Sequence, residues 1–365
     1  MKKKISIYVK GNANTPDYYR IHQYMDKMAD INCNYHQMLS DSMYNRVIPI
    51  SAKGRWLQAF VFAIIYLRMT WALTKDLVMR PSHIVILRRI TPRMMPFPIK
   101  PLLLLNLKLG SKMIWDFDDD ILAFKEIKPK DFELFSRIAT NISVTHEGLK
   151  QLITPQYWDK VKILPTTDGD TQKHYPNETC QQERMLGIQK QVNLVWVATS
   201  LNLVYLKDII QELDQAALVL EEKTNRELHL KVVCNEPLLH HTQHLAIDNV
   251  IWTREGAISE LLHSHIGIMP LIDSKIARGK GGFKLVQYLA FGLPCIGTDV
   301  GFNHQVIDES CGVLIGKEKK QDWTHAILKL SDPITWEKYS KNAYDKWQKD
   351  FPFSKNFSYW NQILK

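Results

Sequence analysis

Short apolar runs alternate with longer amphipathic stretches along most of this chain, which is the pattern of strands that alternate with helices. In the first half, five such runs predict buried parallel strands: Ile5–Val9, His83–Leu87, Lys112–Trp115, Ile142–Val144 and Val161–Leu164. Six more follow in the second half: Asn193–Val197, Leu228–Cys234, Val250–Trp252, Ile266–Met269, Pro294–Ile296 and Val313–Ile315. Two successive arrays of this kind predict an α/β protein with two doubly wound, Rossmann-like domains that face a cleft.

The stretch Thr166–Gln191 lies between the two arrays. It is poor in aliphatic residues and rich in Thr, Asp, Gln and Lys, which is typical of a surface linker. We therefore predict the hinge there, with an N-terminal domain over residues 1–165 and a C-terminal domain over residues 166–349.

Composition and length agree with a globular protein of two domains, because 365 residues exceed what one core usually holds. No run reaches the roughly 18 apolar residues of a membrane-spanning helix, and the basic start leads into a strand pattern instead of a signal peptide. Five cysteines without a CxxC pair fit neither a disulfide framework nor a zinc site. These features predict a cytoplasmic protein.

Net charge is divided unevenly along the chain. Residues 1–110 hold 17 Lys and Arg against 5 Asp, a net of +12, whereas the whole chain sums to +9. The N-terminal part is therefore expected to face an anionic partner: nucleic acid, a phosphorylated acceptor or the inner leaflet of a membrane. A basic surface in contact only with water is the alternative. No nucleic-acid motif is visible, which speaks against the first partner.

A glycine- and lysine-rich segment, Arg278–Ala290, follows the predicted strand Ile266–Met269 and then becomes helical. Glycines let a backbone approach a ligand closely, and lysines with a helix N-terminus attract phosphate. The segment predicts a diphosphate-binding loop, although its spacing differs from that of a Walker A motif. Its candidate ligand contacts are Arg278, Lys280, Gly281, Gly282, Phe283, Lys284 and Gln287. For Arg278, an acceptor contact or a surface role stays open.

The wider sequence resembles the donor-binding signature of glycosyltransferase family 4, retaining enzymes of the GT-B fold. The resemblance rests on these segments: Ile266–Asp273, Gly279–Lys284, Gln287–Ala290, Gly292–Pro294 and Gly297–Asn303. Weaker likeness in the first half involves Tyr18–Arg20, Arg88–Arg89 and Asp116–Asp120. It implies a nucleotide-diphosphate sugar on the C-terminal domain, a saccharide or lipid-linked acceptor on the N-terminal domain, and a role in surface-polysaccharide assembly. It also implies that residues 350–365 cross back onto the N-terminal domain.

This chain departs from the family at two glutamates that usually stand eight positions apart. Gly279 occupies the first position and Gln287 the second. Gln287 can still hydrogen-bond a ribose hydroxyl, whereas Gly279 has no side chain to hold a sugar. Asp273 is the nearest acid upstream. Lys284 and Lys280, with nearby amide groups, are expected to stabilise the leaving diphosphate without a metal or another cofactor. A non-catalytic relative that only binds a ligand is the second hypothesis, because both glutamates are replaced.

Carboxylates are crowded where the strand Lys112–Trp115 ends, at Asp116, Asp118, Asp119 and Asp120. We predict that Asp118, together with Asp119, orients the acceptor hydroxyl. A helix N-cap cluster and a magnesium site are the alternatives. Near the first predicted strand, Gly11 and Arg20 are candidate acceptor contacts, with a structural ion pair as the other interpretation of Arg20.

The apolar segment Trp56–Arg68 predicts a helix that packs in the core or lies in a membrane interface. In the second case the protein is peripheral at the inner membrane face. That interpretation requires its neighbouring cations to share one face: Arg55, Arg68, Lys75, Arg93, Lys100 and Lys108.

Overall fold

Two parallel β-sheets organise the chain in a computed structural model that describes residues 2–11, 17–40, 43, 55–88, 95–316 and 319–365. The chain divides into two compact units. Unit 1 comprises Met1–Thr166 and Ser354–Lys365, and unit 2 comprises Thr167–Phe353. In the described residues each unit holds one six-stranded sheet, and all strand pairings are parallel. The predicted α/β class is confirmed.

The sheet of unit 1 has the strand order β2-β1-β3-β4-β5-β6. Its strands are β1 (Lys3–Val9), β2 (Ile31–Gln37), β3 (His83–Leu87), β4 (Lys112–Phe117), β5 (Asn141–Val144) and β6 (Val161–Ile163). All but β2 were predicted from apolar runs. β2 is an edge strand with the sequence INCNYHQ, whose residues are mostly half-buried, so it lacks the apolar run of a central strand.

Helices cover this sheet and bury a core that includes Trp115, Phe117 and Phe135. Up to Thr166 the described helices are a π-helical turn (Tyr18–His22), a helical turn (Gln23–Met25), α1 (Arg55–Met79), α2 (Ile99–Lys108), α3 (Pro129–Ile138), α4 (Glu147–Lys150) and a 3-10 turn (Pro155–Lys160).

Helix α1 packs one side into this core through Val61, Ile65, Met69 and Leu73. The predicted core packing is therefore confirmed for that side, while Trp56 and Trp71 on the other side stay 90% and 72% exposed. Within the described residues, no helix combines the length and apolarity that crossing a bilayer requires.

The sheet of unit 2 has the order β12-β11-β10-β7-β8-β9. Its strands are β7 (Gln191–Val197), β8 (Glu227–Cys234), β9 (Ala246–Ile251), β10 (Ile266–Met269), β11 (Cys295–Thr298) and β12 (Gly312–Ile315). Each overlaps a predicted apolar run, although β9 shares only Val250 and Ile251 with the run predicted there. The sheet lies between two buried clusters, one centred on Leu194, Trp196 and Trp323 and the other on Val195, Tyr288 and Phe291.

The helices of unit 2 begin with a 3-10 turn (Thr171–Lys173) and α5 (Glu178–Gly187). After β7 the described helices are a 3-10 turn (Ser200–Asn202), α6 (Leu203–Lys207), α7 (Ile210–Thr224), α8 (Arg254–Leu262), α9 (Lys275–Arg278), α10 (Phe283–Ala290), α11 (Asn303–Val306), α12 (Asp322–Ser331) and α13 (Pro333–Asp350).

The predicted surface linker Thr166–Gln191 begins where the two units divide, after Thr166, but from Thr167 onward the segment is part of unit 2 and not a linker. Thr167 and Asp168 are buried, and α5 buries Cys180 and Arg184. Arg184 donates to three backbone carbonyls, those of Leu261, Leu262 and Phe291. Composition misled here because these polar side chains satisfy buried backbone groups instead of facing water.

The last helix, Phe353–Leu364, belongs to unit 1 from Ser354 onward. Asn356 donates to Tyr24 Oη at 3.1 Å and to the Pro165 carbonyl at 2.7 Å, and Trp360 is fully buried. The division falls a few residues after position 350 because Phe351 still packs in the core of unit 2.

Candidate active site

The sheet of unit 2 reverses its strand order between β7 and β10. β8 and β9 lie on one side of β7, and β10, β11 and β12 lie on the other. Ligands of open parallel sheets bind beyond the carboxyl ends of the strands at such a switch point. The loop after β7 (198–202) and the loop after β10 (270–282) therefore form the candidate site of this unit.

The loop after β10 is held in shape by its own side chains. Ser274 caps α9 by accepting a hydrogen bond from the Ala277 N–H at 3.1 Å. Asp273 accepts two hydrogen bonds from Arg278, from Nε at 2.6 Å and from Nη2 at 2.7 Å. Arg278 thus forms a bidentate pair inside its own loop, a role that the sequence did not suggest.

Two glycines let this loop pack closely against its neighbours. Gly301, after β11, has φ +59°, and a Cβ there would lie 2.6 Å from the Arg278 carbonyl oxygen. Gly282 has φ +63°, and a Cβ there would lie 2.7 Å from the Phe302 ring. Both backbones adopt a conformation that favours glycine. The loops after β10 and β11 are therefore fixed against each other.

Lys280 joins the two sides of the switch point. Its Nζ donates a hydrogen bond to Asn202 Oδ1, in the loop after β7. The same ammonium lies 4.9 Å from the centroid of the Tyr205 ring, a distance typical of a cation–π contact. A predicted phosphate-binding cation is thus positioned by the loop after β7 as well as by its own loop.

Helix α10 begins at Phe283, with Gly282 at its N-cap position, and carries Lys284 in its first turn. Lys284 is half-buried. Burial raises the pKa of the neighbouring Cys234 thiol, and the positive charge of Lys284 opposes that shift. An eight-residue helix directs the positive end of its dipole toward this loop. Lys280, Lys284 and the helix N-terminus together provide the chemistry that an anionic diphosphate requires.

Gln287 lies deeper, in the second turn of α10, and is only 5% exposed. Its Nε2 donates to Asp168 Oδ2 at 3.1 Å. Burial raises the pKa of Asp168, while Arg254, whose Nη2 lies 3.9 Å from Asp168 Oδ1, opposes that shift. Gln287 is therefore anchored by its amide nitrogen, which leaves its amide oxygen as the atom available for further recognition.

Gly279 ends α9, and its N–H donates toward the carbonyls of Lys275 and Ile276 at 3.3 and 3.2 Å. It contributes backbone only. Asp273, the nearest acid upstream, is engaged with Arg278. No acidic side chain therefore replaces the first of the two glutamates that are usual in family 4.

In unit 1 the strand order reverses between β1 and β3, and the loop after β1 begins at this point. The Asp17 carboxylate accepts hydrogen bonds from the N–H groups of Lys10 and Gly11, at 3.1 and 3.2 Å. Burial raises the pKa of Asp17, and the charge of Arg88 opposes the shift. Gly11, a predicted acceptor contact, thus contributes its amide to the anchoring of Asp17.

The prediction that Arg20 contacts the acceptor is corrected by its surroundings. Its side chain is 4% exposed and forms a two-point ion pair with Asp116, with Nε 3.0 Å from Oδ2. Its Nη1 also donates to the Leu164 carbonyl and to Thr166 Oγ1. Because the guanidinium is buried and engaged on every side, the ion-pair interpretation replaces acceptor binding.

Arg88 pairs with three partly exposed carboxylates of this edge. Its Nη2 lies 2.8 Å from Asp118 and 3.2 Å from Asp119, and its Nη1 lies 3.7 Å from Glu126. The residue ends β3 in a left-handed conformation, φ +60°, and its carbonyl accepts a hydrogen bond from Trp115 Nε1 at 2.8 Å. Asp118 and Asp119, the predicted acceptor contacts, are thus brought together by one guanidinium.

Asp120 has a different role, because its Oδ1 accepts hydrogen bonds from the N–H groups of Leu122 and Ala123 at 3.0 and 2.8 Å. Asp120 thus caps the turn 121–125, and not a helix as the capping alternative predicted. Across the part of the chain that the structure describes, no three His, Cys, Asp or Glu side chains are arranged to hold a metal ion. Asp116 therefore belongs to a buried ion pair, Asp120 caps a turn, and Asp118 and Asp119 pair with Arg88.

Four residues of these two edges were not identified as site residues from the sequence: Asp17, Arg88, Asp168 and Asn202. Arg88 was visible only within the family resemblance. Position after a predicted strand would have indicated Asn202 and Arg88, since both follow strands next to a switch point. Asp168 gave no signal, because its partner Gln287 is distant in sequence.

Residues 192–332 match the family model for glycosyl transferases group 1. No curated protein sequence matches the chain. Among solved structures, a glycosyltransferase from Rickettsia africae superposes with a TM-score of 0.65 at 12% identity, covering 100% of this chain and 98% of that one.

Two further structures cover 99% or more of both chains. Anabaena HepE in complex with UDP and glucose has a TM-score of 0.65 at 10% identity, with 99% of each chain covered. A UDP-forming α,α-trehalose-phosphate synthase from Burkholderia vietnamiensis has a TM-score of 0.62 at 10% identity, covering 100% of this chain and 99% of that one. The chain has the GT-B fold, and residues 192–332 form a glycosyltransferase group 1 domain. The predicted enzyme class, a glycosyltransferase, is confirmed by this domain.

Proposed function

We propose that this glycosyltransferase is a retaining enzyme that transfers a hexosyl group from a nucleotide-diphosphate sugar to a saccharide or lipid-linked acceptor in surface-polysaccharide assembly. The observation that carries the proposal is the arrangement of Lys280, Lys284 and the α10 N-terminus at the switch point of unit 2. This arrangement lies within the matched glycosyltransferase domain.

A uridine nucleotide is the donor that we propose to test first. HepE was solved with UDP and with UDP-glucose, and the trehalose-phosphate synthase is named as UDP-forming. In this chain the diphosphate would lie against Lys280, Lys284 and the first N–H groups of α10. A ribose hydroxyl would be recognised through Gln287 Oε1, because Nε2 is held by Asp168.

In the proposed reaction the bond between the anomeric carbon and the diphosphate oxygen breaks, and an acceptor oxygen forms the new bond on the same face of the sugar. The hydroxyl proton passes to the leaving phosphate. Negative charge develops on the diphosphate, so cations fixed before the reaction stabilise the transition state more than the ground state. Because Lys280 and Lys284 supply these charges, the proposal requires no metal.

On the acceptor side, we assign Asp118 and Asp119 to hydroxyl recognition. Both carboxylates are partly exposed, and Arg88 holds them. A carboxylate paired with a guanidinium retains lone pairs that accept hydrogen bonds from sugar hydroxyls. We also propose that the protein binds peripherally to the anionic surface of the inner membrane and reaches its acceptor there.

Ligand-dependent thermal unfolding tests the donor proposal, with UDP-glucose, other nucleotide sugars and free UDP as probes. A ligand at about 100 times its dissociation constant adds roughly 2.7 kcal/mol of stability. We expect stabilisation of the wild type and of Lys275→Ala, an exposed lysine of the same loop. The shift should be lost in Lys284→Ala. Equal shifts in both variants, or turnover with no sugar nucleotide, would contradict the donor site.

A further inference from the structure

A continuous apolar stripe runs along the solvent side of α1. Its residues follow one another at spacings of three or four, so they share one helix face: Trp56, Phe60, Ala63, Leu67, Trp71, Thr74 and Val78. The five large side chains are 60% to 90% exposed. Over 25 residues the helix is about 37 Å long. Monomeric proteins rarely expose an apolar surface of this extent, which marks an interaction site.

The charges beside the stripe are of one sign. Exposed Arg68 and Lys75 stand seven residues apart, next to Trp71, and Arg80 follows the helix. The single acidic residue of α1, Asp76, is fully buried and accepts hydrogen bonds from Ser6 and Tyr8. The solvent side of α1 therefore combines apolar and positive groups.

Helix α2, which packs against α1, extends this surface. On its exposed side Lys100 and Lys108 flank Leu104 and Leu105, which are 38% and 42% exposed. Phe97, just before α2, is 83% exposed, and its carbonyl accepts a hydrogen bond from Tyr66 at 3.0 Å. Arg93 and the side chain of Arg55 lie outside the described residues.

We propose that the exposed face of α1, continued by α2, lies in the interface of an anionic phospholipid membrane. Trp and Phe side chains insert at the depth of the headgroups, while Arg68, Lys75, Lys100 and Lys108 contact lipid phosphates. The helix axis lies in the plane of the membrane. These residues form the surface through which the proposed enzyme would reach its acceptor at the membrane. Only this purpose of the membrane contact rests on the proposed function.

Charge decides between this partner and a second copy of the chain. The described charged side chains of α1 and α2 are the exposed Arg68, Lys75, Lys100 and Lys108, and one acidic residue, the buried Asp76. Two copies joined through this face would bring like charges together, which opposes association. An anionic lipid surface neutralises the same charges.

Vesicle co-sedimentation of the full chain without donor or acceptor tests the inference. Vesicles of phosphatidylglycerol and phosphatidylethanolamine are compared with neutral phosphatidylcholine at low salt. We expect the wild type to bind the anionic vesicles, and the double variant Leu67→Glu/Trp71→Glu to bind at least about tenfold more weakly. The matched control Leu239→Glu/Ile334→Glu changes two residues of unit 2 that are 80% and 81% exposed, and it should bind like the wild type.

A charge variant sharpens the assignment. Lys75→Glu should weaken binding to anionic vesicles about tenfold, whereas Lys223→Glu, at an exposed residue of α7 in unit 2, should not. Brominated lipids should quench less fluorescence in Trp71→Phe than in the wild type.

Three results would overturn the inference: no binding of the wild type to anionic vesicles, equal binding of the Leu67→Glu/Trp71→Glu variant, or conversion of a wild-type dimer to a monomer by that variant with vesicle binding unchanged. The last result would assign the face to a second copy. Absence of vesicle binding by the wild type, together with intact transfer to a water-soluble acceptor, would contradict the membrane surface and leave the proposed reaction standing.

Discussion

The carboxyl-terminal edges of the two sheets have opposite chemistry. In unit 2 the edge carries Lys280 and Lys284 beside a helix N-terminus. In unit 1 it carries Asp118 and Asp119, held together with Glu126 by Arg88. Yet residues 1–110 carry a net charge of +12 and the rest of the chain is slightly acidic. The charge of a unit therefore does not report the charge of its site.

Part of the excess of cations in unit 1 lies elsewhere, along α1 and α2. Arg68, Lys75, Lys100 and Lys108 are exposed there beside apolar side chains. Counting charges along the sequence thus indicated a basic surface, whereas the candidate donor and acceptor sites had to be found from the ends of the strands. Four experiments test this comparison of the two units.

The largest effect is expected in unit 2. Lys284→Ala should lower turnover by about 100- to 1000-fold, because a fixed cation is lost where charge develops on the leaving diphosphate. Steady-state kinetics measure the change, and thermal unfolding checks the fold. Lys275→Ala is the control for a lost lysine in the same loop. If a folded Lys284→Ala protein retains wild-type kinetics, the cationic edge is not the donor site.

A smaller and more selective effect is expected in unit 1. Asp118→Asn should lower transfer to the acceptor about 30-fold while donor hydrolysis and donor binding change little. The exposed Asp159→Asn in the same unit is the control. Acceptor titrations at saturating donor separate KM from kcat. Equal losses of donor and acceptor binding would show that the edges are not divided between the substrates.

Two glycines with positive φ, one in each unit, allow a further comparison. Gly301→Ala places a Cβ 2.6 Å from the Arg278 carbonyl and should weaken donor binding about tenfold by moving the loop. Gly110 in unit 1 also has positive φ, at +108°, but a Cβ there would meet no other atom within 4 Å. Gly110→Ala should cost about 1 kcal/mol of stability and leave donor affinity unchanged. Calorimetric titration with UDP measures both affinities, and urea unfolding measures the stability.

The smallest effect concerns acid stability. Burial lowers the pKa of His265 in unit 2 to about 3, and that of His83 in unit 1 to about 4. Each histidine binds a proton more readily when unfolded, so stability falls as pH drops from about 6.5 toward these values. The slope is at most about 1.4 kcal/mol per pH unit for each group. Urea unfolding between pH 7 and 4 should show shallower slopes for His265→Gln and for His83→Gln than for the wild type. An unchanged slope would place the acid sensitivity elsewhere.

Strands buried on both faces were predictable, because a short and continuous apolar run such as His83–Leu87 is typical of them. The polar edge strand Ile31–Gln37 was not, since it is defined by pairing with β1. The loop with Lys280 and Lys284 was visible because glycines and cations stand together in sequence. The partners of Arg20 and Gln287 were not visible, because Asp116 and Asp168 lie about 100 residues away in sequence.

The return of the chain to unit 1 has a consequence for synthesis. Unit 2 is one continuous stretch, Thr167–Phe353, so all of its residues have been made before Ser354 is added. Unit 1 is started first and completed last, because Asn356 and Trp360 reach it only in the final helix. On the ribosome the second half can therefore complete its fold while the first half still waits for its last segment, and a premature stop near residue 350 would damage the N-terminal unit most.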